Sequence, residues 1–291
     1  MLHRNTLERL SLCLAAGLLA GTAALAQQKY HLNDVAAAGD LVAIEKSTDM
    51  TMNLKVTVDG QELPAFKMMN REREKYTTEI LAADKNGKPT VIRRTYSVAT
   101  GEETDAEGKQ KAKVSSLQGK TVTIKVAAGK ATVTATGGKL DPEDEKSLAE
   151  EFSGSGSPFL PNREVAPGEE WTIDPKQLPA GLVGAEKADM KGRFTDVVDR
   201  GGHPAARIHI DMDVLGKFGG SPLPLAIKGA GEALFALDFQ RPLTANLDGP
   251  FTIKGEMVQD GKKLQFDGDG TLKTTQTFAW QKVAGKAVSV K

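Results

Sequence analysis

The chain has 291 residues, 38 basic and 38 acidic side chains, and an aromatic content of 5%. This balance supplies no basic face of the kind nucleic acid demands, and no strong pull toward anionic membranes. The low aromatic content argues against a sugar-stacking cleft, and a single cysteine, Cys13, excludes an internal disulfide.

Met1–Ala26 reads as a secretory signal peptide. His3, Arg4 and Arg9 make a basic start, Leu10–Ala26 is apolar and small, and Ala24-Leu25-Ala26 fits a cleavage site before Gln27. Leu12 before Cys13 is not the small residue a lipid-attachment site needs, and the apolar run is short for a spanning helix. The expectation is an exported, soluble mature chain, periplasmic or extracellular, with no transmembrane segment and no thiol.

From Asp40 the hydrophobic period becomes two. Met50, Met52, Leu54, Val56 and Val58 alternate with polar residues, which predicts a half-buried antiparallel strand closed by an Asp59-Gly60 hairpin turn. Tyr76–Ala83 and Thr90–Ala99 form the next pair, turned at Asn86-Gly87, with Arg94 on the apolar parity of Ile92 and Tyr96. Thr100–Lys113 is polar and reads as an exposed loop. Lys120–Val126 and Lys130–Ala135 are short strands joined at Ala128-Gly129.

Asp141–Phe152 is the only helix the pattern supports in the mature chain. Asp141 suits the N-cap, Pro142 the first turn, and Glu143 and Asp144 the positive end of the dipole. Leu148 and Phe152 face one way, as a plug over the sheet would. Next comes Leu160-Pro-Asn-Arg-Glu-Val-Ala-Pro-Gly-Glu-Glu-Trp171. Its prolines forbid helix or central strand, and Pro167-Gly168 predicts a type II turn. Two readings stand for it: a crossover pinned to the core by Trp171, which is favoured, and a lid or ligand platform.

The second half predicts strands at Lys191–Asp199, turned at Gly201-Gly202, and at Ala206–Val214. Ala230–Gln240, Leu243–Leu247, Pro250–Val258, Lys263–Asp267 and Gly270–Trp280 follow as a meander. Asp248-Gly249, Asp260-Gly261 and Gly268-Asp269-Gly270 are its expected turns. The whole reads as a mainly β protein. Two antiparallel β halves form a curved sheet or barrel-like body, with one short helix and a Pro/Gly/Trp crossover between them. The segments are 1–26 (signal peptide), 27–139 (N-terminal half), 140–171 (helix and crossover), 172–280 (C-terminal half) and 281–291 (tail).

The pattern Leu160-Pro161, Val165, Gly168 and Trp171, with the Asp59-Gly60 hairpin, resembles uncharacterised secreted and lipid-anchored bacterial β-rich proteins grouped as a domain of unknown function. The resemblance implies an envelope or secreted location and a β-rich fold. It implies no catalytic residue.

Catalytic signatures are missing. Neither Ser155 nor Ser221 sits in a nucleophile elbow, and there is no Walker loop, no zinc-protease helix and no cofactor motif. Arg207, His209, Asp211 and Asp213 share one strand face, so His209 with Asp211 and Asp213 is the candidate metal set. A solvated face of alternating charge is the stronger reading of those four. Met50, Met52, Met68 and Met69 read as packing rather than copper handling. The expectation is a non-enzymatic protein that binds a lipid or other apolar or amphipathic ligand, or an envelope protein, between its halves. Leu160, Val165, Trp171 and Trp280 are the candidate binding residues. An interaction module without a small ligand is the alternative, and a hydrolytic or metal enzyme the third.

Overall fold

A computed structural model describes residues 28–104, 108–153, 159–174, 185–216, 223 and 225–288. The expected signal peptide, residues 1–26, lies outside these residues.

The strands are β1 (Tyr30–Leu32), β2 (Leu41–Val58), β3 (Gln61–Glu62), β4 (Phe66–Ala83), β5 (Pro89–Thr104), β6 (Gln110–Val114), β7 (Thr121–Ala127) and β8 (Lys130–Thr136). Helix α1 (Pro142–Ser153) follows. Then come β9 (Arg163–Val165), β10 (Glu170–Thr172), β11 (Ala185–Arg200), β12 (His203–Gly216), β13 (Leu225–Ala236), β14 (Arg241–Gln259), β15 (Lys262–Val283) and β16 (Lys286–Ala287). The mainly β, antiparallel reading holds. One sheet runs β10-β11-β12-β13-β14-β15-β2-β4-β5-β7-β8, and a second, two-stranded sheet pairs β1 with β9. The large sheet is curved and open, with β10 and β8 as its outer strands. The C-terminal meander therefore precedes the N-terminal one in space, joined where β15 pairs with β2 from Leu264↔Val58 to Lys282↔Leu41.

Alternation decides which side faces in. On β2, Val42, Ile44, Met52, Leu54 and Val56 are buried, and their parity matches Tyr76 and Ile80 on β4 and Ile92 and Tyr96 on β5. Two cores sit on this inner face. One gathers Ile44, Tyr76, Ile92, Tyr96, Val122 and Ile124 under Leu148 of α1. The other gathers Met52, Leu54, Phe194, Ile208, Met212 and Phe251 under the crossover. The outer face carries cross-strand ions and hydroxyls, such as Lys75–Glu45 at 3.0 Å and Ser47–Thr275 at 2.6 Å.

Turn chemistry is as expected at four hairpins. Asp59 and Gly60 have φ of 48° and 86°, and Asp260-Gly261, Ala128-Gly129 and Gly201-Gly202 behave alike. Two other turns are corrected. Asp248-Gly249 lies inside the 19-residue β14, and Gly268-Asp269-Gly270 lies inside the 22-residue β15. Their glycines serve close approach instead. A Cβ on Gly249 would lie 2.2 Å from the Lys228 carbonyl oxygen, and one on Gly270 would lie 2.2 Å from that of Thr51. The Thr100–Lys113 loop is also corrected: β5 extends to Thr104, and β6 returns against it with Thr100 opposite Val114.

The helix and its N-terminal acids stand as expected. Asp144 also accepts bonds from Ser115 Oγ, Ser116 N and Ser116 Oγ at 2.9, 2.9 and 2.7 Å, which fastens α1 to the end of β6.

In the central stretch, Gly168 has φ of 89° and Glu169 N donates to Ala166 O at 3.0 Å, the type II turn expected of Pro167-Gly168. Trp171 sits opposite Gly192, whose missing Cβ would lie 2.4 Å from the indole. Trp171 Nε1 donates to Phe159 O at 3.0 Å. Trp171→Phe should cost about 1–2 kcal/mol in urea unfolding, through that bond and lost contact. A cost below about 0.5 kcal/mol would show the indole N–H to be solvated.

Candidate functional site

On the inner face, a run of apolar side chains stays partly open. Met50 and Val58 on β2, Phe66 and Met68 on β4, and Ile253, Phe266 and Leu272 on β14 and β15 pack on the larger core and remain half-buried. Register brings them into rows. Phe66 is opposite Leu54, Met68 opposite Met52, Phe266 opposite Val56, and Leu272 opposite Met50. Opposed residues share a face, so these seven form one stripe along the join of the halves.

Toward α1 the stripe meets polar ground. Lys46, Thr48, Asn70, Glu72 and Glu74 occupy the inner parity of β2 and β4. A cleft of about 200 Å³ opens here, bounded by these strands, the β5–β6 end and α1. Glu72, Glu74, Glu102, Glu103, Asp144 and Glu151 outnumber Lys46 and Lys113 on its walls. Most of this acidity is already answered by protein partners. Glu74 lies 3.7 Å from Lys46, Glu102 lies 3.6 Å from Arg71, and Asp144 holds the two serines.

Behind the cleft Arg94 is buried at 3% exposure. Its Nη1 and Nη2 donate to Glu151 at 3.0 and 2.8 Å, and Nη1 donates to Tyr96 Oη at 3.1 Å. The guanidinium carbon stands 4.2 Å from the Tyr76 ring centre and 4.9 Å from that of Phe152. Burial, which pushes a carboxyl up, is outweighed at Glu151 by Arg94, so Glu151 titrates below the usual carboxylate range. Burial pushes the Tyr76 phenol up to about 12 despite Arg94 beside it.

The candidate residues read from sequence divide. Leu160, Val165 and Trp171 come together in the larger core, at 9%, 0% and 8% exposure. Trp280 lies elsewhere, at the junction of the α1-covered core with a small cluster of Ala205, Ala236 and Leu243. Its Nε1 donates to Pro242 O at 2.7 Å. His209 Nε2 lies 3.2 Å from Asp211 Oδ1, while Asp213 turns to Lys228 at 3.5 Å. Among the described residues no group of three or more His, Cys, Asp or Glu side chains is placed to hold a metal ion. The same residues include no helix long and apolar enough to cross a membrane. Sequence reasoning named the methionines and the parity of Arg94. It missed the stripe because which strands adjoin, β2 with β15, is a topological fact.

No protein-family model matches the chain, and no curated protein matches it. Among solved structures, DynF from the dynemicin biosynthesis pathway of Micromonospora chersina is similar over 86% of this chain and 84% of that one. The identity is 8% and the TM-score 0.21, a likeness too slight to carry an argument.

Proposed function

We propose that the chain is an exported, non-enzymatic binding protein of a bacterial envelope that takes an apolar or amphipathic ligand along the inner face of its sheet. The half-buried stripe of Met50, Met68, Phe66, Val58, Ile253, Phe266 and Leu272 carries this reading. Water-facing apolar rows are costly unless something covers them, and methionine adapts to irregular ligands. The adjoining polar cleft gives an amphipathic molecule somewhere to leave its head group. The resemblance of the Leu160–Trp171 segment to secreted and lipid-anchored proteins belongs to the same proposal, as does export through cleavage after Ala26.

The test is titration of the mature chain with the dye N-phenyl-1-naphthylamine, beside native mass spectrometry of protein recovered from its own compartment. Met50→Lys and Met68→Lys each place a charge in the stripe and should weaken dye binding about tenfold. Absent dye binding, or binding untouched by both substitutions, would remove the proposal. N-terminal sequencing of the exported chain should begin at Gln27.

An interaction module is the second reading. It is favoured by Val114 and Val258, exposed at 65% and 73%, and by the outer strand β8. Val258→Asp should leave dye binding intact under the first reading and abolish partner capture under the second.

A further inference from the structure

Residues 33–40 lead into β2 and cross the ends of strands from both halves. Ala36 N donates to Gly87 O in the β4–β5 turn at 2.9 Å, and Gly39 N donates to Ile80 O at 2.9 Å. On the other side Gly285 N reaches Gly39 O at 3.3 Å, in the β15–β16 turn. One guanidinium stands at the centre. Arg241, 4% exposed, sends Nη2 and Nε to Asp40 Oδ2 at 2.6 and 3.2 Å. Asp40, 1% exposed, also accepts Ala37 N on Oδ2 at 3.0 Å and Ala284 N on Oδ1 at 2.6 Å.

Asp34 is the second carboxylate at this arginine, and it comes off worse. Its Oδ1 lies 4.0 Å from Arg241 Nη1, beyond hydrogen-bond length, and Nη1 already donates to Gln240 O at 2.8 Å. Asp34 keeps 29% of its side chain exposed. Two carboxylates therefore share one cation, and the nearer one holds the cation's best donors. We propose that Asp34, Asp40 and Arg241 form an acid-tightened latch, which fastens the lead-in across both halves when Asp34 is neutral and loosens it when Asp34 ionises.

The electrostatics agree with the geometry. Burial pushes Asp34 up to about 6, with Arg241 pulling it down and Asp40 pushing it further up. Among the described residues, Arg241 from β14 and Asp40 from the lead-in are the charged groups that act on it. A carboxyl whose closed-state value is raised favours closure below its free value. That advantage is lost as pH climbs from about 4 to about 6. Asp40, with four donors on it, holds the guanidinium in place.

The experiment is amide hydrogen exchange on the full mature chain at pH 4.5 and pH 7, read as protection factors so that intrinsic rates cancel. Protection of Ala36, Ala37, Gly39 and Ala284 should fall on the order of tenfold between the two, relative to Ile124 in β7. Asp34→Asn should hold the pH 4.5 protection at both values. Asp40→Asn should loosen all four amides at both. Protection that does not change with pH in the wild type, or a pH response that survives Asp34→Asn, would overturn the latch.

Discussion

Arg94→Ala should lower unfolding stability by about 4 kcal/mol. The loss has two sources. The side chain fills space under α1 among Tyr76, Tyr96 and Phe152, so truncation leaves a cavity lined by rings. It also removes the two bonds that tie Glu151 of the helix to the sheet. The partners are unequal, since the side chain of Arg94 is 4% exposed and that of Glu151 is 47% exposed. Glu151→Gln leaves a charge stranded inside and should cost about 2 kcal/mol, unusual for a side chain half in water. Arg94→Met refills the space and frees the carboxylate to hydrate, at about 1 kcal/mol. In urea titrations Arg94→Met with Glu151→Gln should be no worse than Glu151→Gln alone. Strict additivity would mean the pair is not coupled. Because Glu151 is held below its ordinary value, this contribution is present above about pH 4.5 and fades as pH falls.

Gly249→Ala should cost about 3 kcal/mol or more. Its Cβ would fall 2.2 Å from Lys228 O and 2.5 Å from Gly229 Cα, and both obstacles are main chain. No rotamer relieves that, so β13 and β14 must separate. Asp248→Ala, one residue away and exposed, is the control and should stay within about 0.5 kcal/mol. Equal, small effects for both would mean that the two strands are not pressed together as described.

That glycine also shows where sequence reading reached its limit. Asp-Gly at 59–60 and at 248–249 look identical as dipeptides. The first has positive φ and turns the chain, while the second runs straight through a strand because its neighbour is too near for a side chain. Proximity between strands is not written in two adjacent letters. Alternation on β2, β5 and β12, the α1 cap and the Pro167-Gly168 turn were all legible, because each is a local consequence of local residues. Arg94 was visible as a charge on an apolar parity, but its partner lies 57 residues away on the helix. The stripe was hidden for a related reason, since Met50 and Leu272 become neighbours only after the sheet is assembled.

The Ser47–Thr275 contact joins positions 228 residues apart, in the middle of the sheet rather than at its rim. Closing so wide a loop comes late in any folding sequence and is slow. Each meander can zip from its own hairpins as it emerges. Until β15 arrives, however, β2 presents an 18-residue unpaired flank, an invitation to aggregation. A cell handling this chain has reason to keep it escorted until β15 has been delivered.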